Sequence, residues 1–445
     1  MQLFVALVII ALAMVALVRR VDVRLTLFAA GLALASLAGK PLVVLDVFLA
    51  EMGNGKTIGP ICSAMGYAFL LRATGCDREM VQLLLAPARR AWWLLIPGGC
   101  LAGFIANIAV TSQTAVAAAI APILLPLMRA AGFSAPVAAA TLVLGCSGGG
   151  SLFNPGDADL VAIHEASGAP MPQALAAMFW PLLGGFVTAV AVFALTARRS
   201  FSEAAVFVGA SLDDDRGRGR ATPLQNAVAP PAKPQRWKAL LPPLPMVLIF
   251  LLMPGVFFPE LPAPFARGLP VLHAMIFSAG VVLLLCRREV TASVKAFFEG
   301  MGYAYAHVIS LVVTASCFIA GMTEIGLTDK LVRLVSDTGV GGKLAAGFFP
   351  GLLGVITGSA IGPSVAFSKA VLPALRDANL PAALDLGVLG AIAATFGRTM
   401  SPAAAVVNFS AAQAGVSVTE IVKRTAPPLL AGFAIVLLIV IARGA

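Results

Sequence analysis

Long apolar runs interrupted by short polar segments form the dominant pattern of this chain. Residues 3–18, 25–38 and 429–441 are apolar almost throughout, and a helix that crosses a bilayer needs roughly 20 apolar residues. Because such runs recur from end to end, the pattern predicts an all-α polytopic membrane protein. The first run ends at Arg19-Arg20 rather than at a small-residue cleavage site, so we expect a span there and not a cleaved signal peptide.

The composition supports this prediction and argues against other classes of protein. Of the 445 residues, 59% are hydrophobic and 12% are charged, whereas soluble domains carry about 25% charged residues. A net charge of +10 would suggest a nucleic-acid partner for a soluble protein. In a membrane protein the Lys and Arg residues of the loops set the orientation, so no nucleic-acid partner is expected. The six cysteines form no C-x-x-C pair and are expected to be buried apolar residues.

An internal repeat relates the two halves of the chain. A shift of 247 positions aligns them, and many matches are Gly and Pro residues that mark breaks in the backbone. A polar, Pro/Gly-rich and mainly basic segment at 198–238 is predicted to be a flexible cytoplasmic linker. The predicted units are therefore a first repeat at 1–197 and a second repeat at 239–445. The aligned positions include Ser112 with Ser359, Gly150 with Gly397 and Pro155 with Pro402.

Each repeat is predicted to contain five membrane-spanning helices and one re-entrant hairpin. The hairpins lie at about 92–129 and 341–377, and the broken helices at about 136–166 and 382–413. An odd number of crossings inverts the second repeat relative to the first. This arrangement places most Lys and Arg residues on the cytoplasmic side, as is usual in membrane proteins, and both termini on the periplasmic side. Inverted repeats with broken helices around a midplane site are typical of secondary transporters.

Four polar segments fall at the predicted membrane depth, two at hairpin tips (110–115 and 357–364) and two at helix breaks (145–159 and 395–402). Irregular backbone is tolerated there only where it is buried in protein or lines a wet cavity. Free helix N-termini attract anions, and free C-terminal carbonyl groups attract cations. The segments therefore predict a site for an anionic solute, with a possible coupled cation. The structural alternatives are close helix packing at Gly148–Gly150 and helix capping by the tip hydroxyls.

Arg398 is the most specific single residue in these segments. Charged side chains deep in a membrane are rare and usually functional, and a guanidinium can bind a carboxylate through two parallel hydrogen bonds. Asp157 is the natural counter-charge, which either forms a structural ion pair with Arg398 or holds a proton or a cation. Asp159 is a second candidate for the proton or cation. Lys369 is expected to form a structural pair, to snorkel or to contact substrate.

The motifs of other chemistries lack the partners that they need. The segment "IHEAS" at 163–167 has no second histidine to complete a zinc-binding H-E-x-x-H motif, so no metal site is predicted. The glycine-rich break comes without His and Asp partners in the context of a hydrolase elbow. The sequence has no G-x-x-x-x-G-K-[ST] phosphate loop. The chain is therefore expected not to be an enzyme, and to need no cofactor beyond a coupling Na⁺ or H⁺.

Two segments of the second half, ATFGRTMSPAAAVV (394–407) and GVSVTEIVKRTAPPLLAG (415–432), resemble the C-terminal signature of the DcuC family of bacterial C4-dicarboxylate carriers. Residues 104–128 and 155–174 resemble that family's first hairpin and the break after it. The resemblance covers most of both halves. It implies an ion-transporter-superfamily fold of two inverted repeats, in which a transport domain moves like an elevator against a dimeric scaffold. It also implies a homodimer in the bacterial inner membrane that carries succinate, fumarate, malate or a similar dicarboxylate by exchange or by H⁺ or Na⁺ coupling.

The candidate site residues combine this resemblance with the four polar segments. Asp157 and Asp159 are the predicted sites for a coupling ion or proton. One arginine suggests a substrate with at least one carboxylate, and hairpin dipoles and hydroxyls could hold a second. A monocarboxylate, a sugar acid or a tricarboxylate therefore remains open as the substrate, as does a cation or proton antiporter or a channel that uses Asp157. The predicted substrate-binding residues are Ser112, Gln113, Thr114, Asn154, Ser359, Ser364, Gly397, Arg398, Thr399 and Ser401.

Overall fold

The regular secondary structure is helical throughout the described part of the chain. The computed structural model describes residues 2–19, 21–87, 94–110, 112–211, 235–252, 269–287, 290–336, 340–377 and 379–443. The helices of the first half are α1 (Gln2–Val18), α2 (Val23–Leu37), α3 (Leu42–Met52), α4 (Gly55–Thr74), α5 (Cys76–Leu85), α6 (Leu95–Ala109), α7 (Gln113–Ala130), α8 (Ala135–Gly145), α9 (Gly150–Phe153), α10 (Ala158–Ser167) and α11 (Met171–Ser211). Those of the second half are α12 (Leu244–Leu251), α13 (Val271–Leu285), α14 (Val290–Ala304), α15 (Ser310–Glu324), α16 (Leu327–Ser336), α17 (Val340–Thr357), α18 (Ile361–Arg376), α19 (Leu380–Thr399), α20 (Ala405–Ala414) and α21 (Val418–Arg443).

Seven helical segments in the described residues are long and apolar enough to cross a membrane. They occur in both halves of the chain, and shorter apolar helices such as α2 and α13 accompany them. The prediction of an all-helical, multi-pass membrane protein is thereby confirmed. The number of crossings, their orientation and the re-entrant geometry of the hairpins remain predictions. The seven segments are Gln113–Ala130, Ala135–Ser167, Met171–Ala197, Val290–Glu324, Val340–Thr357, Leu380–Thr399 and Val418–Arg443.

The helices pack into two groups, the first and the second helix group. The first group contains α1–α4 and α12–α15, with α4 packed along α14 and α2 along α15. The second group contains α6–α11 and α17–α21, with α17 packed along α19 and α11 along α21. The short helices α5 and α16 contact neighbours in both groups. Each group thus draws helices from both halves of the sequence.

Small residues allow the closest helix pairs to form. A Cβ atom at Gly321 would overlap the carbonyl oxygen of Gly31, where α15 crosses α2 in the first group. A Cβ atom at Gly397 would overlap the carbonyl oxygen of Gly351, where α19 crosses α17 in the second group. Glycine removes the side chain at these crossings, so the backbones come into direct contact, as is common between membrane helices. Gly397 therefore has a packing reason of its own.

The predicted hairpins and breaks coincide with interruptions in the helices. Helices α6 and α7 meet at the first predicted tip, and α17 and α18 meet at the second. The first predicted break lies among α8, α9 and α10, and the second lies between α19 and α20. The predicted linker at 198–238 differs at its start, because α11 continues to Ser211. The rest of that linker up to residue 234 lies outside the described residues.

Candidate functional site

A small buried cavity lies where the first helix break, both hairpin connections and α19 meet. Its polar lining includes Gln113, Ser151, Asp157, Asp159 and Arg398. The space open to the centres of water molecules is about 60 Å³, and one water needs roughly 10–15 Å³ by this measure. The cavity therefore has room for a few waters or for the polar end of a small solute.

The three consecutive glycines of the first break have different structural reasons. Gly148 adopts φ = +82°, a left-handed conformation that glycine allows at no steric cost, and the chain turns there after α8. A Cβ atom at Gly149 would overlap the carbonyl oxygen of Phe104, so this glycine lets the break pack directly on α6. The N–H of Gly150 donates to Asn107 Oδ1 at 3.0 Å, and Gly150 lines the cavity. Close packing thus explains one of the three glycines.

Two buried asparagines fasten the first break to the first hairpin connection. Asn154 donates to the carbonyl oxygen of Ile108 and accepts from the N–H of Gly156, each at 3.0 Å. Asn107 donates to the carbonyl oxygen of Val110 at 3.0 Å. Asn154, a predicted substrate-binding residue, is therefore engaged by the backbone. Sequence reasoning missed Asn107, although an amide inside the apolar run of α6 was a signal that could have found it.

The two aspartates after the break have different surroundings. Asp157 is the N-cap of α10, and its Oδ1 accepts from the N–H of Asp159 at 3.1 Å and from the hydroxyl of Ser151 at 3.2 Å. Asp159 is 4% exposed, and its Oδ1 accepts no hydrogen bond from the described residues. Ser364 and Thr395 lie beside its carboxylate. A buried acceptor without a partner is unfavourable unless water, a proton or an ion meets it, so Asp159 is the better placed of the two to take one.

Arg398 reaches the cavity from the last turn of α19. Within the described parts of the chain, no carboxylate oxygen lies within 4.0 Å of its guanidinium nitrogens. Its buried Nε has no hydrogen-bond partner there either. The charges of Asp159 and Asp157 act on the guanidinium from a greater distance. A direct ion pair between Arg398 and Asp157 therefore does not form in this structure, and the planar set of donors is open to a carboxylate.

Comparison with known proteins identifies the family of the chain. The sequence profile of the DcuC family, described as C4-dicarboxylate anaerobic carrier, matches residues 58–444. The chain belongs to the DcuC family. The family consists of carriers, so the chain is a transporter and not an enzyme.

Relatives in the DcuC family share moderate sequence identity with the chain. It is 28% identical over 400 residues to a Vibrio cholerae protein named probable anaerobic C4-dicarboxylate transporter DcuC, across 87% of this chain and 81% of that one. It is 32% identical over 154 residues to the anaerobic C4-dicarboxylate transporter DcuC of Escherichia coli K12, across 34% of this chain and 33% of that one.

The fold of this DcuC-family chain resembles a solved transporter structure. The crystal structure of the Alcanivorax borkumensis YdaH transporter aligns with a TM-score of 0.61 at 16% identity, over 89% of this chain and 86% of that chain. At this level of identity the likeness shows the fold alone. The chain therefore shares the overall fold of that structure.

The predicted site residues of this DcuC-family chain divide into those that line the cavity and those that lie behind its walls. Gln113, Asp157, Asp159 and Arg398 line it. The buried Oε1 of Gln113 has no hydrogen-bond partner among the described residues, so it can accept from a bound solute or water. Ser364 is fully buried, and its hydroxyl likewise has no partner in the described chain. These groups make up the part of the prediction that the structure brings together.

The other predicted hydroxyl residues at the connections mostly fix the backbone. Ser112 is the N-cap of α7, and Thr114 follows in the first turn of that helix. Ser401 accepts from the N–H of Ala403 at 3.1 Å. The N–H of Ser359 donates to Thr357 Oγ1 at 3.2 Å. A substrate role for these residues, and for Gly397, remains a prediction.

A pair of hydroxyls joins the two helix breaks behind the cavity. Thr399 Oγ1 donates to Ser147 Oγ at 3.0 Å, and both residues are buried. Ser147 in turn donates to the carbonyl oxygen of Val143 at 2.7 Å. Thr399 was a predicted substrate-binding residue, whereas Ser147 was not. The contact holds the end of α19 against the first break, close to Arg398.

Lys369 lies outside the cavity, and its charge is balanced by Glu51 of the first helix group. Its Nζ donates to Glu51 Oε1 at 2.5 Å and to Ser316 Oγ at 2.9 Å. A second polar contact between the groups runs from Thr57 to Glu165, whose Oε2 accepts at 2.6 Å. Of the alternatives for Lys369, the structural pair is the one that the structure contains.

Proposed function

We propose that this chain is a secondary carrier of C4-dicarboxylates such as succinate, fumarate and malate. The observation that carries the proposal is Arg398, a largely buried guanidinium with no counter-ion in contact among the described residues, at a cavity formed by broken helices. A carboxylate is the ligand that this planar set of donors fits best. The names of the relatives, which are C4-dicarboxylate transporters, favour a dicarboxylate over the other organic anions.

The charges around the cavity limit how such a substrate can move. Two carboxylates, Asp157 and Asp159, already face the single guanidinium of Arg398. A dianion added to this set would leave a large negative charge in a poorly solvated space, which is unfavourable. H⁺ or Na⁺ taken up together with the substrate would offset this charge in the cavity, whereas exchange of one dianion for another would only avoid net movement of charge across the membrane. Asp159, whose Oδ1 has no hydrogen-bond partner in the described part of the chain, is the residue that we propose for the proton or ion, with Asp157 beside it.

The source of the lining residues supports an elevator-type movement. Every polar side chain of the cavity belongs to the second helix group, from α6 to α10 or from α19. The first group supplies apolar side chains only. A polar site built within one group can travel with that group as a unit, while the other group serves as the scaffold. We extend the proposal to a homodimer in the bacterial inner membrane, with two inverted repeats and periplasmic termini.

Counter-flow in proteoliposomes tests the proposed function. Vesicles loaded with succinate should take up labelled succinate several-fold faster than empty vesicles that contain the same protein. Unlabelled fumarate and malate should compete, whereas a monocarboxylate, a sugar acid and a tricarboxylate should compete weakly. Sealed vesicles that show no counter-flow with any C4 acid would contradict the proposal. Flux that is independent of internal substrate would indicate a channel instead.

Imposed gradients then separate exchange from coupled transport. Uptake into empty vesicles should respond to a pH gradient if a proton accompanies the substrate, and to a Na⁺ gradient if sodium does. Uptake that responds to neither gradient but requires internal dicarboxylate would identify an obligatory exchanger.

A further inference from the structure

The cavity has two walls of opposite character. The wall of the second helix group carries the guanidinium, the carboxylates, two amides and hydroxyls. The second group also adds the apolar Ala360 and Ile361 to the lining, whereas the part from the first helix group is an apolar wall of three residues, Ile61, Met65 and Val308. All three side chains are at least nine-tenths buried. A solute held by Arg398 therefore meets polar groups on one side and hydrocarbon on the other.

Close packing of the first break on α4 fixes two residues of this apolar wall. Ile61 and Met65 are four positions apart, so they share one face of the helix. A Cβ atom at Gly156 would lie 2.6 Å from the Cβ of Ala64 and 2.9 Å from the carbonyl oxygen of Pro60. The absence of a side chain at Gly156 thus lets the break approach α4 and seats it beside this face.

A π-helical turn places the third residue. The turn covers Tyr305–Ile309, between α14 and α15, and contains Val308. Two contacts hold it from outside the helix: Arg24 Nη1 donates to the carbonyl oxygen of Ala306 at 3.1 Å, and Tyr305 Oη donates to that of Met52 at 3.0 Å. Single π-turns inside α-helices occur often at functional sites. Here the wide turn brings an apolar side chain to a cavity that is otherwise rich in polar groups.

We infer that the wall formed by Ile61, Met65 and Val308 makes the carrier select C4-dicarboxylates with an unsubstituted carbon chain. The inference rests on the proposed function. With one carboxylate on Arg398, the middle carbons of the substrate lie between the two walls. A hydroxyl turned towards the apolar wall loses its water and finds no better partner there than the weakly accepting thioether sulfur of Met65, which is unfavourable. Succinate and fumarate are therefore preferred over malate, and malate over tartrate, which has a hydroxyl on each middle carbon.

The expected discrimination is modest. An apolar pocket rejects an otherwise similar ligand that adds one hydroxyl by about a hundredfold at most. We expect half-inhibition of succinate counter-flow to need about ten times more malate than fumarate, and more tartrate than malate. A wild-type carrier that accepts tartrate as well as fumarate would overturn the inference, even though it confirmed dicarboxylate transport.

Val308→Thr is the decisive variant, because it replaces a methyl group of the wall by a hydroxyl at nearly constant shape. We expect the tartrate-to-fumarate ratio of half-inhibiting concentrations to fall about fivefold to tenfold, because a polar group now faces the middle carbons. Val312→Thr is the matched control. Val312 is 2% exposed and lies one turn further along, where it packs in a separate apolar cluster outside the cavity. The control should leave the ratio unchanged.

The outcomes separate this inference from the proposed function. Normal succinate counter-flow with an unchanged ratio in Val308→Thr would overturn the inference and leave the proposed function standing. A wild-type protein that shows no counter-flow with any C4 acid would contradict both the inference and the proposed function. Size-exclusion profile and thermal unfolding establish that each variant is folded. If Val308→Thr does not fold, Ile61→Thr takes its place, with the same expected fall in the ratio and the same result against the inference.

Discussion

Arg398 and Lys369 are two largely buried cations of the second half, and they differ in what surrounds them. Lys369 is bound by Glu51 and Ser316 of the first helix group. Arg398 touches no carboxylate in the described chain, and its Nε has no partner. A buried charge with its partners in place holds helices together, whereas one without them is stabilised only when something else supplies the opposite charge. The comparison therefore gives Lys369 a structural role, whereas Arg398 remains the proposed contact of the transported anion.

The largest effect on transport is expected from a substitution at Arg398 that keeps the positive charge but changes the shape of the charged group. Arg398→Lys replaces a planar fork of donors with a single ammonium that cannot bind a carboxylate through two parallel bonds. We expect succinate counter-flow to fall about a hundredfold, since small losses of substrate orientation have costs of this size. Thermal unfolding should stay within a few degrees of the wild type, because Arg398 makes no ion pair with the described residues that the variant would lose.

The matched control is Arg376→Lys, which makes the same substitution in a side chain that is 44% exposed. Both variants should fold, and only Arg398→Lys should lose transport. Normal counter-flow in Arg398→Lys would show that the guanidinium does not bind substrate, and the contrast with Lys369 would then disappear.

The second-largest effect is a loss of folding stability when Lys369 is replaced. Lys369→Met leaves Glu51 largely buried without its counter-ion, and removing one partner of a fully buried pair costs about 3–5 kcal/mol. The side chains of Lys369 and Glu51 are still 15% and 18% exposed. We therefore expect a smaller loss of stability, about 2 kcal/mol. Chemical unfolding in detergent measures the loss, and adding Glu51→Gln should restore most of it.

An exposed pair provides the control for this prediction. Lys295 and Glu299 are 77% and 58% exposed and 3.8 Å apart, and such surface pairs contribute about 0–1 kcal/mol. Lys295→Met should therefore change stability little. A loss in Lys369→Met that is no larger than in Lys295→Met would mean that the pair between the helix groups is not structural.

A third comparison separates the two aspartates of the cavity. Asp159→Asn removes the carboxylate whose Oδ1 has no partner among the described residues, so we expect accumulation driven by an ion or pH gradient to fall about tenfold, while exchange stays within about threefold. A tenfold change corresponds to about 1.4 kcal/mol. Asp157→Asn is the matched control for folding, because asparagine is as good an N-cap as aspartate and keeps the contacts with Ser151 and the start of α10.

Gradient-driven uptake that survives in Asp159→Asn but fails in Asp157→Asn would reverse the assignment of these two residues. Loss of exchange as well as accumulation in both variants would show that the carboxylates hold the site together instead of coupling it to an ion.

The sequence predicted the helices and the position of Arg398, because both depend on local signals. Apolar runs mark the helices, Gly and Pro mark the interruptions, and a cation in an apolar context is conspicuous. The missed residues depend on contacts between distant parts of the chain. Asn107 bonds Gly150 across 43 positions, and Ser147 meets Thr399 across 252. The apolar wall was also missed, since Val308 sits in an apolar run whose pattern does not show the π-turn.

The smallest expected effect concerns the Thr399 hydroxyl behind the cavity. It tests whether this hydroxyl has a structural role, as Lys369 does, or a role in substrate binding, as proposed for Arg398. Thr399 and Thr141 are both fully buried, and each hydroxyl lies within 2.9 Å of the carbonyl oxygen four residues earlier. Only Thr399 also contacts Ser147 across the two breaks. Because one neutral hydrogen bond contributes about 0.5–1.5 kcal/mol, Thr399→Val should destabilise the fold by up to about 1 kcal/mol more than Thr141→Val in chemical unfolding. Such a difference in stability between the two variants would indicate that the hydroxyl pair of Thr399 and Ser147 has a structural role. If the two variants are equally stable and Thr399→Val alone raises the KM for succinate, the Thr399 hydroxyl contributes to substrate binding. It would then join Arg398 among the groups that bind the substrate.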